Sequence, residues 1–519
     1  MKIRFTAIGL TAALAWAFVP NSPMLNGASA PVAADTAPDS TGTQGTDEAN
    51  LTDAQRAALE KSADAAASAA KLAIEQANPK HLPAFPGAEG FGALATGGRG
   101  GEIVHVTNLA DSGTGSFRDA VSKPNRIVVF DVGGIIKIGK EVTVSSNISI
   151  EGQSAPGEGI CIYGNGVSLG GQSNIIVRYL RFREGIDGDA GKKALGMDRS
   201  SNIIIDHCSI SWGRWDDLGI TVGSTAITVQ NCIISEAIHQ QAFGALIDTV
   251  TNVTLSHNLW MSNVSRNPKV KGTIQYINNV VYNWGGTGLC GGHSGANHDL
   301  DVINNYFIKG PSSNDRFAGE FKATDHVYQD GNYVDLDADG KLNGKLALPA
   351  DFHRASEGGG YTLPTFVKSA AMHPLTPVTT QSAADAYAKI VAEVGCSLHR
   401  DSVDGRLISE LTSLGTTGAT LPQEPHAPNG PNGKPDKTNP VYVAANAKVI
   451  DVARKLCDTL GEIKGGPASA DTDHDGIPDE WEKTHGLDPK DPSDAAKLDK
   501  SGYTNIEVYL NSLVVPVAK

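Results

Sequence analysis

The residues best placed to do chemistry fall into three groups. In Ser265-Arg-Asn-Pro-Lys-Val-Lys271 the cations Arg266 and Lys271 stand five places apart around a proline. Upstream lie four acids, Asp187, Asp189, Asp216 and Asp217. Near the end, Asp471-Thr-Asp-His-Asp-Gly476 followed by Glu482 fits the pattern D-x-D-x-D-G-x5-E. Paired cations suit a clamp for an anionic substrate, and the bland alternative for Arg266 is a salt-bridged turn residue. Asp216 and Asp217 read as metal ligands, as an acid/base pair for hydrolysis or as solvated acids. In the last group, Asp471, Asp473, Asp475 and Glu482 suit a hard cation such as calcium, with Asp479 contributing through water and Gly476 making the turn. Asp499-Lys-Ser-Gly502 resembles a degenerate second loop, with Lys497 where a carboxylate should begin it.

These groups need a scaffold that brings distant residues together, and the sequence repeats in a way that supplies one. Short β-branched runs begin at Asn147, Asn174, Asn202, Ala226 and Asn252, separated by 27, 28, 24 and 26 residues. Two related runs begin at Thr273 and Leu300, and the pairs Asn278-Asn279 and Asn304-Asn305 continue the beat. Such a period means stacked repeats. The leucine consensus of leucine-rich repeats is absent, and the runs lack helical periodicity. Four- or five-residue strands followed by polar or Gly-rich turns predict an all-β chain, a right-handed parallel β-helix. Asn258, Asn279 and Asn305 then fall at equivalent places and can form an amide ladder. On such a solenoid Asp187, Asp189, Asp216, Asp217, Arg266 and Lys271 line one groove.

The motifs at 85–92 (FPGAEGFG), 113–120 (GTGSFRDA), Asp206-His207 with Trp212, 265–271 (SRNPKVK), Tyr282-Asn-Trp284 and 400–406 (RDSVDGR) span most of the chain. Together they resemble polysaccharide lyase family 1, the pectate lyases. The resemblance implies β-elimination on de-esterified homogalacturonan (an activity of the EC 4.2.2.2 type). A base removes the C5 proton of a uronate, and the bond to the neighbouring sugar's oxygen at C4 breaks. That proton is acidic only once the adjacent carboxylate is neutralised. By resemblance Arg266 is the base, Lys271 grips the substrate carboxylate and Ca2+ is the cofactor. Asp187-Gly-Asp189 resembles the family's calcium pair but lies four residues early. Counting back from Asp206-His207, the usual calcium aspartate is Lys193. The substrate-binding lysine after the next strand is replaced near His239-Gln240-Gln241, so Lys193 and His239 are the substrate-binding candidates there. A lysine can stand in for calcium, as in a pectin lyase-like, calcium-independent enzyme. Asp206-His207 reads as architecture between coils.

The formal net charge of −14 argues against nucleic acid as a partner. It also means that an acidic polysaccharide needs a local basic patch or a metal. Lys2, Arg4, the apolar stretch Phe5 to Val19 and Ala28-Ser29-Ala30 read as a signal peptide over 1–30. That predicts a secreted or periplasmic protein with no membrane span once processed. Residues 31–82 read as a linker and an Ala-rich helix over 51–77, with Thr52-Asp53-Ala54-Gln55 as its cap. The lyase solenoid is expected over 83–345. Residues 346–465 form a helical and loop segment on its outside, with helices at 383–394 and 449–460, and 466–519 forms an EF-hand-like tail. Six widely spaced cysteines read as buried thiols or as bridges of unreadable pairing. The expectation is a monomeric lyase. A non-catalytic polysaccharide-binding solenoid and a hydrolase on the same scaffold are the rival functions.

Overall fold

The repeated β-branched runs stand in one parallel column. Ile148 is level with Ile175, Ile175 with Ile203, Ile203 with Ile227, Ile227 with Val253, Val253 with Ile274 and Ile274 with Leu300. Neighbouring parallel strands cannot be joined by a tight hairpin, so the chain makes a full turn between them. A computed structural model describes residues 53–292, 297–353 and 360–514, and shows this winding as a parallel β-helix. The signal-peptide stretch 1–30, most of the linker and the Thr52 cap lie outside the described residues.

Each turn contributes to three faces. The first carries the column just named and begins with Glu102–Val106 on Arg126–Phe130. The second holds Val167–Ser168, Leu195–Asp198, Asp216–Thr221, the starts of Phe243–Ser256 and Lys269–Ile277, and Leu289–Cys290. The third runs from Gly134–Lys137 to Tyr333–Asp335 in nine parallel strands and is closed by the antiparallel Lys345–Leu346. Inward side chains form one apolar core; Val177, Ile205, Val229 and Leu255 on the first face meet Leu195, Leu218 and Ala245 on the second. Each such aliphatic side chain contributes roughly 1.5–3 kcal/mol by leaving water.

Asparagine sets the corners for two reasons. Asn147, Asn174, Asn202, Asn231, Asn278 and Asn304 all have φ between 53° and 58°, a left-handed region that asparagine tolerates better than most residues. A second set forms a buried ladder, in which Asn258 donates to Asn279 (3.1 Å), Asn279 to Asn305 (3.1 Å) and Asn305 to Asn332 (2.9 Å). The expected ladder is present and one rung longer than the sequence indicated.

Three helices cover the third face: α1 (Ala383–Glu393), α2 (Ser402–Thr412) and α3 (Pro440–Cys457). Ala383, Ile390, Leu407, Leu411 and Ala453 pack on Ile233, Leu259, Met261 and Val280. Arg183, fully buried, binds Asp401 (2.7 Å) and Asp404 (3.0 Å) of this cover. The third helix starts nine residues earlier than the sequence reading. Asn439 caps it through Val441 N–H, and Pro440 takes the first position, where its missing N–H costs nothing. All six cysteines are buried free thiols, so no bridge joins cover to coil.

Candidate active site

Three consecutive turns align Asp216, Phe243 and Ser265 at the leading edge of the second face. The chain then presents Arg266 with φ +58°, and its backbone carbonyl accepts from Ala245 N–H (2.8 Å). The guanidinium lies 4.2 Å over the Phe243 ring and donates to Asp216 Oδ1 (3.1 Å). Ring and carboxylate fix it in place while leaving its side chain 19% exposed.

Beyond that edge the outward residues stack in two rows. One runs Ser168, Gly196, Gly219, Leu246, Lys269 and the other Asp198, Thr221, Asp248, Lys271. The Lys193 side chain lies across Gly219, where a Cβ would fall 2.3 Å from Lys193 Cδ. Lys269 and Lys271, two residues apart on one strand, both reach over Gly292. Lys271 is buried, and burial together with Arg266 pushes the Lys269 amine below its ordinary value. The groove thus carries Lys193, Arg266, Lys269 and Lys271 on one wall of an acidic protein.

The acids sort differently from the sequence expectation. Asp216 and Asp217 are buried at the groove edge. Asp217 Oδ1 accepts from Gly213 N–H (2.9 Å), and burial raises this carboxyl well above the usual range. Each has one buried oxygen without a partner. Asp187 is engaged by the helical cover. Arg454 of α3 holds both its oxygens (2.8 and 2.9 Å), and that pairing lowers its carboxyl. Asp189 sits exposed in the same turn. His239 is buried rather than open to substrate; its Nδ1 meets Arg214 (3.1 Å) and its Nε2 meets Asn446 of α3 (3.0 Å). The cover over the third face claimed both residues from more than 200 positions away, which local spacing cannot reveal. Lys269 was missed although its alternation with Lys271 was visible. Asp198 and Asp248 needed the register.

Asp206-His207 faces away from the groove, on the first face. Asp206 takes bonds from Gln230 (2.9 Å) and Asn231 (3.0 Å) and pairs with Arg178 (3.4 Å), and His207 stacks on Tyr179. Burial raises the Asp206 carboxyl, but His207 and Arg178 outweigh it and hold the group well below the usual range. This is architecture between coils.

In the tail, Asp471, Asp473 and Asp475 converge, and Asp475 is shared with a second group containing Glu482 and Asp494. Asp479 is outside it, because it accepts from the amide and hydroxyl of Thr472 (2.7 and 2.9 Å). Asp494 takes its place from the next loop, twelve residues beyond Glu482 and outside the span of the sequence pattern.

The family model described as pectate lyase matches residues 91–389. The chain is 44% identical over 435 residues to "Probable pectate lyase C" of Neosartorya fischeri, covering 83% of this chain and 94% of that one. It is 43% identical over 434 residues to the protein of that name from Aspergillus fumigatus, with the same coverage. Among solved structures it is similar to the thermostable pectate lyase PL 47, at 17% identity and a TM-score of 0.44 over 61% of this chain and 98% of that one. Extended similarity to these relatives, over a solenoid whose groove carries the arginine motif, assigns the chain to the pectate lyase family.

Proposed function

We propose that the protein cleaves de-esterified homogalacturonan by β-elimination, with Arg266 as the proton-abstracting group. The observation that carries the reading is the placement of Arg266, held by Asp216 and Phe243 at the groove edge that also carries Lys193 and Lys269. A uronate polymer lying along the second face meets Lys193 and Lys269, with the buried Lys271 beneath them. A carboxylate neutralised by one of these amines leaves its neighbouring C5 proton acidic, because the developing enolate-like charge is met by fixed cations. In its neutral form Arg266 accepts that proton, the C5–H electron pair becomes the C4–C5 double bond as the C4–O bond breaks, and the leaving oxygen takes up a proton from water.

Pectate lyases are generally calcium-dependent. The groove residues of this chain do not fit a calcium cradle. Asp187 is bound by Arg454, and Lys193 occupies the groove at Gly219. Among the described residues no three acids of the groove bring their oxygens together. Asp216 and Asp217 leave only one free carboxylate oxygen each. The reading therefore gives the neutralising role to the lysines, and no step passes through a metal. Export and action as a monomer belong to the same reading; among the described residues no helix is long and apolar enough to cross a membrane.

The test is ultraviolet absorbance of purified protein on polygalacturonate, with chelator or with calcium. Unsaturated ends are expected in both, with initial rates within about threefold. Saturated ends only would favour a hydrolase built on Asp216 and Asp217. Loss of all product in chelator, restored by calcium, would overturn the lysine reading.

A further inference from the structure

We infer that the C-terminal tail holds a calcium ion between two loops, bound by Asp471, Asp473, Asp475, Glu482 and Asp494, and that this ion latches the tail onto the first turns of the solenoid. The site stands apart from the groove and from the reading of the groove. It rests on buried groups that have no other partner. Glu482 is fully buried, Asp475 is 2% exposed and Asp494 is 4% exposed. Seven carboxylate oxygens find no hydrogen-bond donor: Oδ1 of Asp471, both of Asp473, Oδ2 of Asp475, both of Glu482 and Oδ1 of Asp494. In each of the two triads that share Asp475, the ligand atoms lie within 4.8 Å of one another.

Burying like charges without a counter-charge is among the most costly arrangements in a protein. Among the described ion pairs these five acids have no lysine or arginine; His105 reaches Asp471 only at 3.9 Å. The remaining oxygens are already spent on shaping the loops. Gly476 N–H donates to Asp471 Oδ2, Ile477 N–H to Asp475 Oδ1 and Asp488 N–H to Asp494 Oδ2, each at 2.9 Å. One oxygen of each acid converges within its triad while the spent oxygens bind backbone, as in a preformed cation cage. Calcium takes six to eight oxygens in flexible geometry, whereas magnesium needs a strict octahedron and retains water. Seven anionic oxygens therefore select calcium.

The cage grips the solenoid directly. Ile477 and Ala495, one from each loop, pack with Ile506 and Leu510 on Ile127 and Val129 of the first face. Gly476 sits so close that a Cβ would come 3.1 Å from Ile103. Farther along, Glu507 pairs with Arg99 (2.7 Å) and Asn511 accepts from Arg178 (2.9 Å). An ion joining the two loops holds Ile477 and Ala495 at the spacing this contact needs.

The experiment uses the full chain, stripped of metal and titrated with Ca2+ in a calorimeter, and with Tb3+ read by luminescence sensitised from Trp481. Tryptic cleavage of the tail is followed in parallel. Glu482→Gln and Asp494→Asn should each weaken the Tb3+ signal and the matching calcium event at least tenfold and speed tail cleavage. Asp479→Asn should stay within about threefold of the wild type. Activity on polygalacturonate reports whether each variant keeps its solenoid, and metal binding by the stripped wild type tests the site without any variant. Calcium binding untouched by Glu482→Gln, a wild type with no Trp481-sensitised signal, or an Asp479→Asn loss equal to that of Asp494→Asn would overturn the proposal.

Discussion

Arg266 and Asp325 show how neighbours decide what a side chain can do. Arg266 meets a carboxylate, an aromatic face and a lysine three residues on, which together hold its side chain at the groove edge. Asp325 is buried beside the Lys271 end of the groove, with Oδ2 accepting from Lys322 N–H (2.7 Å) and Oδ1 unpartnered. Burial pushes its carboxyl up to about 6, with Lys322 N–H and Lys271 only partly offsetting this. The native state thus holds the proton more tightly than the unfolded chain, so stability falls as pH rises from about 4 to about 6 and then levels. Asp325→Asn should raise stability by roughly 1–3 kcal/mol at pH 7 and leave it unchanged near pH 4. Denaturant midpoints at both pH values check this; equal gains at both would refute it.

At the scale of elements, the turn and its asparagines were legible because a solenoid repeats its physics. The left-handed corners at Asn147, Asn174 and Asn202 and the ladder at Asn258, Asn279 and Asn305 recur once per turn, so the period is written in the chain. The partners of Asp187 and His239 were not legible, because the helical cover reaches them from Arg454 and Asn446 and no local spacing encodes that. Asp494 escaped for a related reason: a sequence pattern describes one loop, and the cage takes residues from two. The ladder itself can be tested. Asn279 Oδ1 accepts both from Asn258 N–H and from its side chain, and Asn279 Nδ2 donates to Leu255 O (2.9 Å). Asn279→Ala orphans these buried groups and should cost roughly 2–4 kcal/mol. A change below about 1 kcal/mol in denaturant unfolding would mean the ladder is ornament to the apolar core.

At the scale of the whole molecule, one winding serves an acidic chain that must hold a polyanion. Its net charge is −14, yet register concentrates Lys193, Arg266, Lys269 and Lys271 on a single face and leaves the tail acids on another. On the proposed reading the polymer lies along this face. The most direct measurement is the rate of unsaturated-end formation on polygalacturonate by the wild type and by Arg266→Ala, with polymer binding measured on the same samples. The account predicts a fall of roughly 10²–10⁴-fold in rate with binding kept within about tenfold. Undiminished unsaturated product from Arg266→Ala would contradict it.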